Sequence, residues 1–255
     1  MRRRIAAIAI LVWAGLTLAG CAGYQAQAFA SLETKSHSAV TPVVQTAEWA
    51  VKWWGPRHEA VSKRLAEGDV GLLFIGDSIT HGWENAGRRI WDRYYAPRQA
   101  VNMGFSGDRT QHVLWRLDHT DFSGLSPRLA ILMIGTNNSN GSDNAAEEIA
   151  DGITAICQRL RTQLPDMKIL ILAIFPRNPE PGPQREKNAE ASRLAARIAD
   201  GKMIHYLDIN DEFLMEDEVL SKEIMPDYLH PNGTGYKIWA EAIEPKVAEL
   251  MGEKP

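Results

Sequence analysis

Five short apolar runs, Val70–Ile75, Ala100–Met103, Leu129–Ile134, Ile169–Phe175 and Met203–Ile209, constrain this chain more than any other feature of its sequence. Each is rich in Ile, Leu or Val and has the length of a strand. Between them lie segments of helical period at Arg88–Tyr95, Thr110–Leu117, Ala145–Leu164 and Arg185–Ala199, and a last one follows at Gly233–Met251. Apolar runs without polar alternation are strands covered on both faces, and strands that alternate with helices build a parallel sheet through right-handed crossovers. The expected fold is α/β: a three-layer α/β/α sandwich around a five-stranded parallel sheet. With 255 residues, 45% hydrophobic and 24% charged, the chain suits one such domain.

Ligands of open α/β sheets gather beyond the carboxyl ends of the strands, so the residues just past each run carry the functional reading. The first run, Val70–Ile75, stops at Gly76 and is followed by Asp77-Ser78. Taken alone, that pair reads as a helix N-cap, a position both residue types favour. A nucleophilic serine needs more: a base for its proton, a carboxylate to orient the base, and donors for the developing oxyanion. Three further segments supply them, namely Asn102–Asp108, Gly135-Thr136-Asn137-Asn138 and Asp227-Tyr228-Leu229-His230. Asp227 and His230 stand three residues apart with Pro231 behind them, so one short turn can hold both. The proline-rich segment Pro176–Pro183 must be a loop after the fourth strand, at the same end of the sheet.

These four blocks, Gly76-Asp77-Ser78, Gly104, Gly135-Thr136-Asn137 and Asp227-Tyr228-Leu229-His230, resemble in order and spacing those of the SGNH hydrolases, also called the GDSL esterases and lipases. The resemblance covers roughly residues 50 to 250. Within it, Gly107-Asp108-Arg109-Thr110 through Trp115-Arg116-Leu117, Asn138 in place of the usual Asp, and Arg185-Glu186-Lys187-Asn188 are most similar to the platelet-activating-factor acetylhydrolase catalytic subunits. The resemblance implies Ser78 as nucleophile, His230 as general base and then acid, and Asp227 as its orienting residue. It implies an oxyanion hole of the Ser78 and Gly104 backbone N–H groups with the Asn137 side-chain amide, and no cofactor. Asp77 is left with a structural role in the loop. The implied activity is hydrolysis of short acyl esters, acetyl above all, with an acetylated polysaccharide or cell-wall glycan as the alternative to a lipid substrate. A non-catalytic surface binding module of the same fold is the competing class; it has no need of Ser78, Asp227 and His230 together.

The N-terminus adds a location. Arg2–Arg4 precede an apolar stretch from Ile5 to Leu18, and Leu18-Ala19-Gly20-Cys21 is similar to the lipobox of bacterial lipoproteins. Residues 1–20 are thus expected to be a signal peptide, Cys21 to carry lipid, residues 21–47 to be a flexible tether of Ala, Gln, Ser and Thr, and residues 48–255 to be the hydrolase domain. The expected location is an exported lipoprotein held to a membrane surface on the periplasmic or extracellular side. Three tryptophans, Trp49, Trp53 and Trp54, fall in a segment of helical period at Glu48–Glu67, where packing on the sheet competes with a lipid or sugar contact. Nucleic acid is an unexpected partner at a net charge of -4 with no basic run beyond the extreme N-terminus. The histidines do not fall at metal-ligand spacing, so no metal is expected. Cys157, within Ile153, Ile156 and Leu160, reads as a small core residue.

Overall fold

The computed structural model describes residues 23–253. Cys21 and the proposed signal lie outside them. The five expected strands are β1 (Leu72–Gly76), β2 (Ala100–Gly104), β3 (Leu129–Met133), β4 (Lys168–Leu172) and β5 (Ile204–Leu207), all paired in parallel in the order β2-β1-β3-β4-β5. The helices are α1 (residues 23–31), α2 (Trp54–Ala66), α3 (Ser78–His81), α4 (Arg88–Tyr94), α5 (Thr110–Asp118), α6 (Ala146–Gln163), α7 (Pro183–Ala195) and α8 (Gly233–Met251).

Alternation along the buried strands divides the core into two layers. Leu73 and Ile75 of β1 join Trp54, Val113, Ile153 and Ala191, so α2, α5, α6 and α7 cover one face. Leu72 and Phe74 point the other way, onto Trp83, Tyr95, Tyr236 and Trp239, under α4 and α8. Cys157 is fully buried in the first layer, and burial pushes its thiol well above the ordinary value. The chain passes from β1 to β2 on one side and then to β3 on the other, so the topological switch point falls at the carboxyl end of β1. Register brings Gly76 level with Gly104 and with Met133, which sets the loops after β1, β2 and β3 side by side.

Two expectations need correction. The helix expected from Glu48 begins at Trp54, with residues 48–53 in turns. Pro56 explains the late start: in the first helical turn its missing N–H costs nothing, whereas a helix from Glu48 would need that N–H for the Lys52 carbonyl. The second correction concerns the flexible tether. From α1 onward this segment is laid on the domain. Gln25 Nε2 donates to Ile198 O at 3.0 Å, Ala28 and Phe29 pack on the core, and Asp151 accepts from both Lys35 at 3.0 Å and His37 at 3.1 Å. Further on, Ala39 is fully buried, its carbonyl accepts from Thr110 Oγ1, and Val43 N–H donates to Gln111 O. Composition suggested a spacer because few side chains are large; the segment is held instead through backbone groups, a few polar side chains and the apolar residues Ala28, Phe29 and Ala39.

Candidate active site

Ser78 opens α3 immediately beyond β1, and three contacts fix that single turn. Asp77 Oδ1 caps it by accepting from Ile79 N–H at 2.9 Å, Tyr236 of α8 donates its hydroxyl to Ile79 O at 2.6 Å, and Asn102 Nδ2 donates to Thr80 O at 3.1 Å. The bland expectation for Asp77-Ser78 is therefore half realised: Asp77 is a cap, and Ser78 is the first helical residue. Ser78 Oγ lies 2.8 Å from His230 Nε2, and His230 Nδ1 lies 2.6 Å from Asp227 Oδ2. The other oxygen of Asp227 accepts from the backbone N–H of His230 at 2.7 Å and of Leu229 at 3.1 Å. With Nδ1–H given to Asp227, the Nε2 lone pair of a neutral imidazole faces the serine hydroxyl.

The turn that carries Asp227 and His230 is exposed, with their side chains at 56% and 41% exposure. Partial burial opposes ionisation of Asp227, but the His230 ring and the two backbone donors outweigh it and hold the carboxyl below its ordinary value. Tyr228 sits between them at φ 59°, a left-handed conformation unusual for a bulky residue. Its carbonyl accepts from Asn178 N–H at 2.9 Å, so the proline-rich loop after β4 steadies this turn. Arg177 in the same loop donates to Thr136 O and to Asn140 Oδ1, tying down the loop after β3 as well.

The opposite side of Ser78 is built from buried polar groups. Asn137 donates one amide hydrogen to Asp108 O at 2.9 Å, which leaves the other available. Asn138, fully buried, accepts from Thr110 N–H through Oδ1 and donates through Nδ2 toward Gln111 Oε1 and Asn144 Oδ1, both at 3.0 Å. Asp108 accepts from Arg116 Nε at 2.8 Å and from Trp54 Nε1 at 2.7 Å, with both charged side chains almost wholly buried. Burial pushes the Asp108 carboxyl up to about 6 against the pull of Arg116 and Trp54. Arg116 also lies over the Phe105 ring, 4.0 Å from its centroid.

Gly104, expected to supply an oxyanion N–H, is placed otherwise. Its N–H donates to Asn102 Oδ1 at 2.8 Å and its carbonyl accepts from Arg57 Nε at 2.9 Å. A Cβ there would stand 2.3 Å from His81 N, so this glycine lets β2 pass close under α3. The neighbouring Gly107 has the free geometry. It adopts φ +75°, shares an open cavity with Asn137, and its N–H has no acceptor among the described residues. Two glycines three positions apart cannot be told apart by sequence spacing; the deciding signal is Asn102, two residues before Gly104 and placed to take its N–H.

Two further titratable groups adjoin Ser78. Asp77 is wholly buried, with Oδ2 lacking a hydrogen-bond partner among the described residues, and burial pushes its carboxyl up to about 7 against the Ile79 N–H and His230. His81 is lowered to about 4 by burial and by Arg57, and its Nδ1 lies 3.0 Å from Ser106 Oγ.

Comparison with known proteins bears on this arrangement. The model of the GDSL-like lipase/acylhydrolase family matches residues 74–238. The chain belongs to that family. Rat platelet-activating factor acetylhydrolase IB subunit alpha2 is 33% identical over 204 residues, which cover 79% of this chain and 86% of the relative. Among solved structures, a carbohydrate acetylesterase from Sinorhizobium meliloti shares the fold at a TM-score of 0.57 and 22% identity, covering 71% of this chain and 100% of its own. An acetylxylan esterase from Geobacillus stearothermophilus, solved as a catalytic mutant, gives 0.56 and 19%, covering 73% and 96%. As a member of the GDSL-like family, this protein is a carboxylic ester hydrolase acting on acyl esters. The family match contains Ser78, Asp227 and His230, whereas α1, the segment after it and α2 lie outside.

Proposed function

We propose that the protein is a serine esterase that removes short acyl groups, acetyl first among them, through an acyl-enzyme intermediate. The observation that carries this reading is the unbroken line Ser78 Oγ, His230 ring, Asp227 carboxylate, at 2.8 and 2.6 Å. Ser78 Oγ attacks the ester carbonyl carbon while its proton passes to His230 Nε2, and Asp227 stabilises the imidazolium that results. The carbonyl oxygen, now an anion, is received by the Ser78 N–H at the open end of α3, the free Asn137 amide hydrogen and the Gly107 N–H, which takes the place expected of Gly104. Collapse of the tetrahedral intermediate breaks the bond to the alcohol oxygen, which leaves with the His230 proton. Water then attacks the acyl-serine, giving one proton to His230, and as that proton returns to Ser78 Oγ the acyl group departs as the carboxylic acid, which then ionises in solvent.

Acetyl is favoured by the names of the relatives: an acetylhydrolase subunit at 33% identity, with a carbohydrate acetylesterase and an acetylxylan esterase sharing the fold. Rates of acid release from 4-nitrophenyl esters of increasing chain length test it. The acetate ester should be cleaved best; a steady rise in kcat/KM toward long acyl chains would contradict the short-acyl reading.

The lipid tether at Cys21 belongs to the same reading on sequence grounds. With Gln25 already bonded to the domain, a lipid on Cys21 would hold the fold directly on a membrane surface rather than at the end of a spacer. Membrane fractionation of Cys21→Ser checks this: release into the soluble fraction is expected, and unchanged membrane partition would contradict it.

A further inference from the structure

Trp49 is the most conspicuous residue that the esterase chemistry leaves unused. It lies outside the family match, in the turns before α2, and its side chain is 57% exposed. Exposure does not leave it loose. The indole rests on the backbone of Gly107, so closely that a Cβ on that glycine would stand 2.2 Å from Trp49 Cη2. Trp53 donates its indole N–H to Trp49 O at 3.2 Å, and the two rings lie 6.1 Å apart, with His81 5.9 Å beyond Trp53. A short row of rings thus leads from the surface to the turn that holds Ser78.

Beside Trp49 opens a cavity of about 460 Å³, bordered by Gly107 and Asn137, two of the three donors proposed for the oxyanion. Apart from the small Ala47, the rest of its wall is polar: Gln45, Thr46, Arg109, His112 and Asn140. This composition discriminates among ligands. An acyl chain needs aliphatic walls, and here the one large apolar surface is the indole. A phosphate headgroup needs an unpaired cation, yet Arg109 is tied to Asp143 at 2.6 Å and His112 is lowered to about 4 by burial and by Arg109. A single aromatic face with neutral amide and imidazole groups around it suits a ring that is apolar on its face and hydroxylated at its edge.

We propose that this cavity is a glycosyl subsite, in which a sugar ring of an acylated oligosaccharide stacks on Trp49 while its ester lies at Ser78. The proposal rests on the esterase reading above and names the part of the substrate that reading leaves open. The N-terminal segment then has a purpose in the site, since it carries the indole to a place the family core does not supply.

The test compares kcat/KM for acetylated xylo-, gluco- and chito-oligosaccharides, an acetylated glycerophospholipid and 4-nitrophenyl acetate, in the wild type, Trp49→Ala and Trp49→Phe. Trp49→Ala should lose about tenfold more activity on at least one acetylated oligosaccharide than on 4-nitrophenyl acetate, and Trp49→Phe, which keeps a ring, should recover most of the difference. Equal losses on both substrates, or none on either, would overturn the subsite. So would a Trp49-dependent preference for the phospholipid. A wild type that cleaves 4-nitrophenyl acetate but no acetylated oligosaccharide removes the subsite and leaves the esterase standing, whereas a folded wild type that cleaves none of these esters removes both.

Discussion

The two sides of Ser78, the proposed nucleophile, are built in opposite ways. Asp227 and His230 sit on an exposed turn, and three of the bonds that shape it come from the turn itself, two backbone N–H groups and one imidazole on a single carboxylate, with Asn178 N–H reaching it from another loop. The oxyanion side is anchored in the interior, where Asp108, Arg116 and Asn138 are almost wholly buried and are bonded to groups from four different segments. The base must exchange protons with substrate and water, so it gains from being at the surface. The oxyanion donors must not move as charge develops, so they gain from a rigid, water-poor setting. Changes on the exposed side should therefore cost rate alone, and changes on the buried side should cost stability as well.

The largest effect is expected on the exposed side. Ser78→Ala and His230→Ala should each lower kcat on 4-nitrophenyl acetate by about four orders of magnitude or more, and the double variant should be no worse than either, because the groups act as a unit. Urea unfolding midpoints should stay within those of ordinary surface substitutions. A large loss of stability in His230→Ala would break the contrast. Next comes Arg116→Met, which leaves the Asp108 carboxylate buried without its cation. It should cost about 3–5 kcal/mol in urea unfolding, and a small cost would show the network to be dispensable.

Asn137→Ala stands between the two sides, since one amide hydrogen holds Asp108 O and the other faces the site. A fall of about 10²–10³ in kcat is expected, with KM little changed. The smallest effect concerns Asp77. Its carboxyl is raised from 3.8 to about 7, so the folded chain holds this proton more tightly than the unfolded chain does. The stability it contributes is fully present below about pH 4 and is lost as pH rises through about 7. Asp77→Asn keeps the shape of the neutral acid and should gain on the wild type across that window, by about 1–3 kcal/mol in unfolding free energy. A difference that does not vary with pH would place the charge of Asp77 elsewhere.

The same contrast explains what could be read from the residues. All five strands fall where apolar runs end in polar or glycine-rich segments, and α8 spans the expected Gly233–Met251, because burial on both faces leaves a strong local pattern. The Asp227-to-His230 turn was legible for a similar reason: the three bonds on the Asp227 carboxylate are all local in sequence. The buried side was less so. Choosing Gly107 over Gly104 depends on where one N–H points, which the Asn102 side chain decides, and the hub role of Asn138 depends on partners up to 28 residues away. The packing of residues 23–47 was hidden because it rests in part on backbone carbonyls and N–H groups, which every sequence possesses, and otherwise on scattered polar side chains whose partners lie far away in the chain. Trp49 looked like one of three tryptophans on a helix; only the position of Pro56 hinted that it precedes the helix.

The central claim, that Ser78 forms the covalent bond, is tested most directly by peptide mass spectrometry after treatment with a fluorophosphonate. One phosphonyl adduct on the peptide containing Ser78 is predicted for the wild type, strongly reduced in His230→Ala and absent in Ser78→Ala. A folded wild type that carries no adduct, or carries it on another residue, would contradict the account.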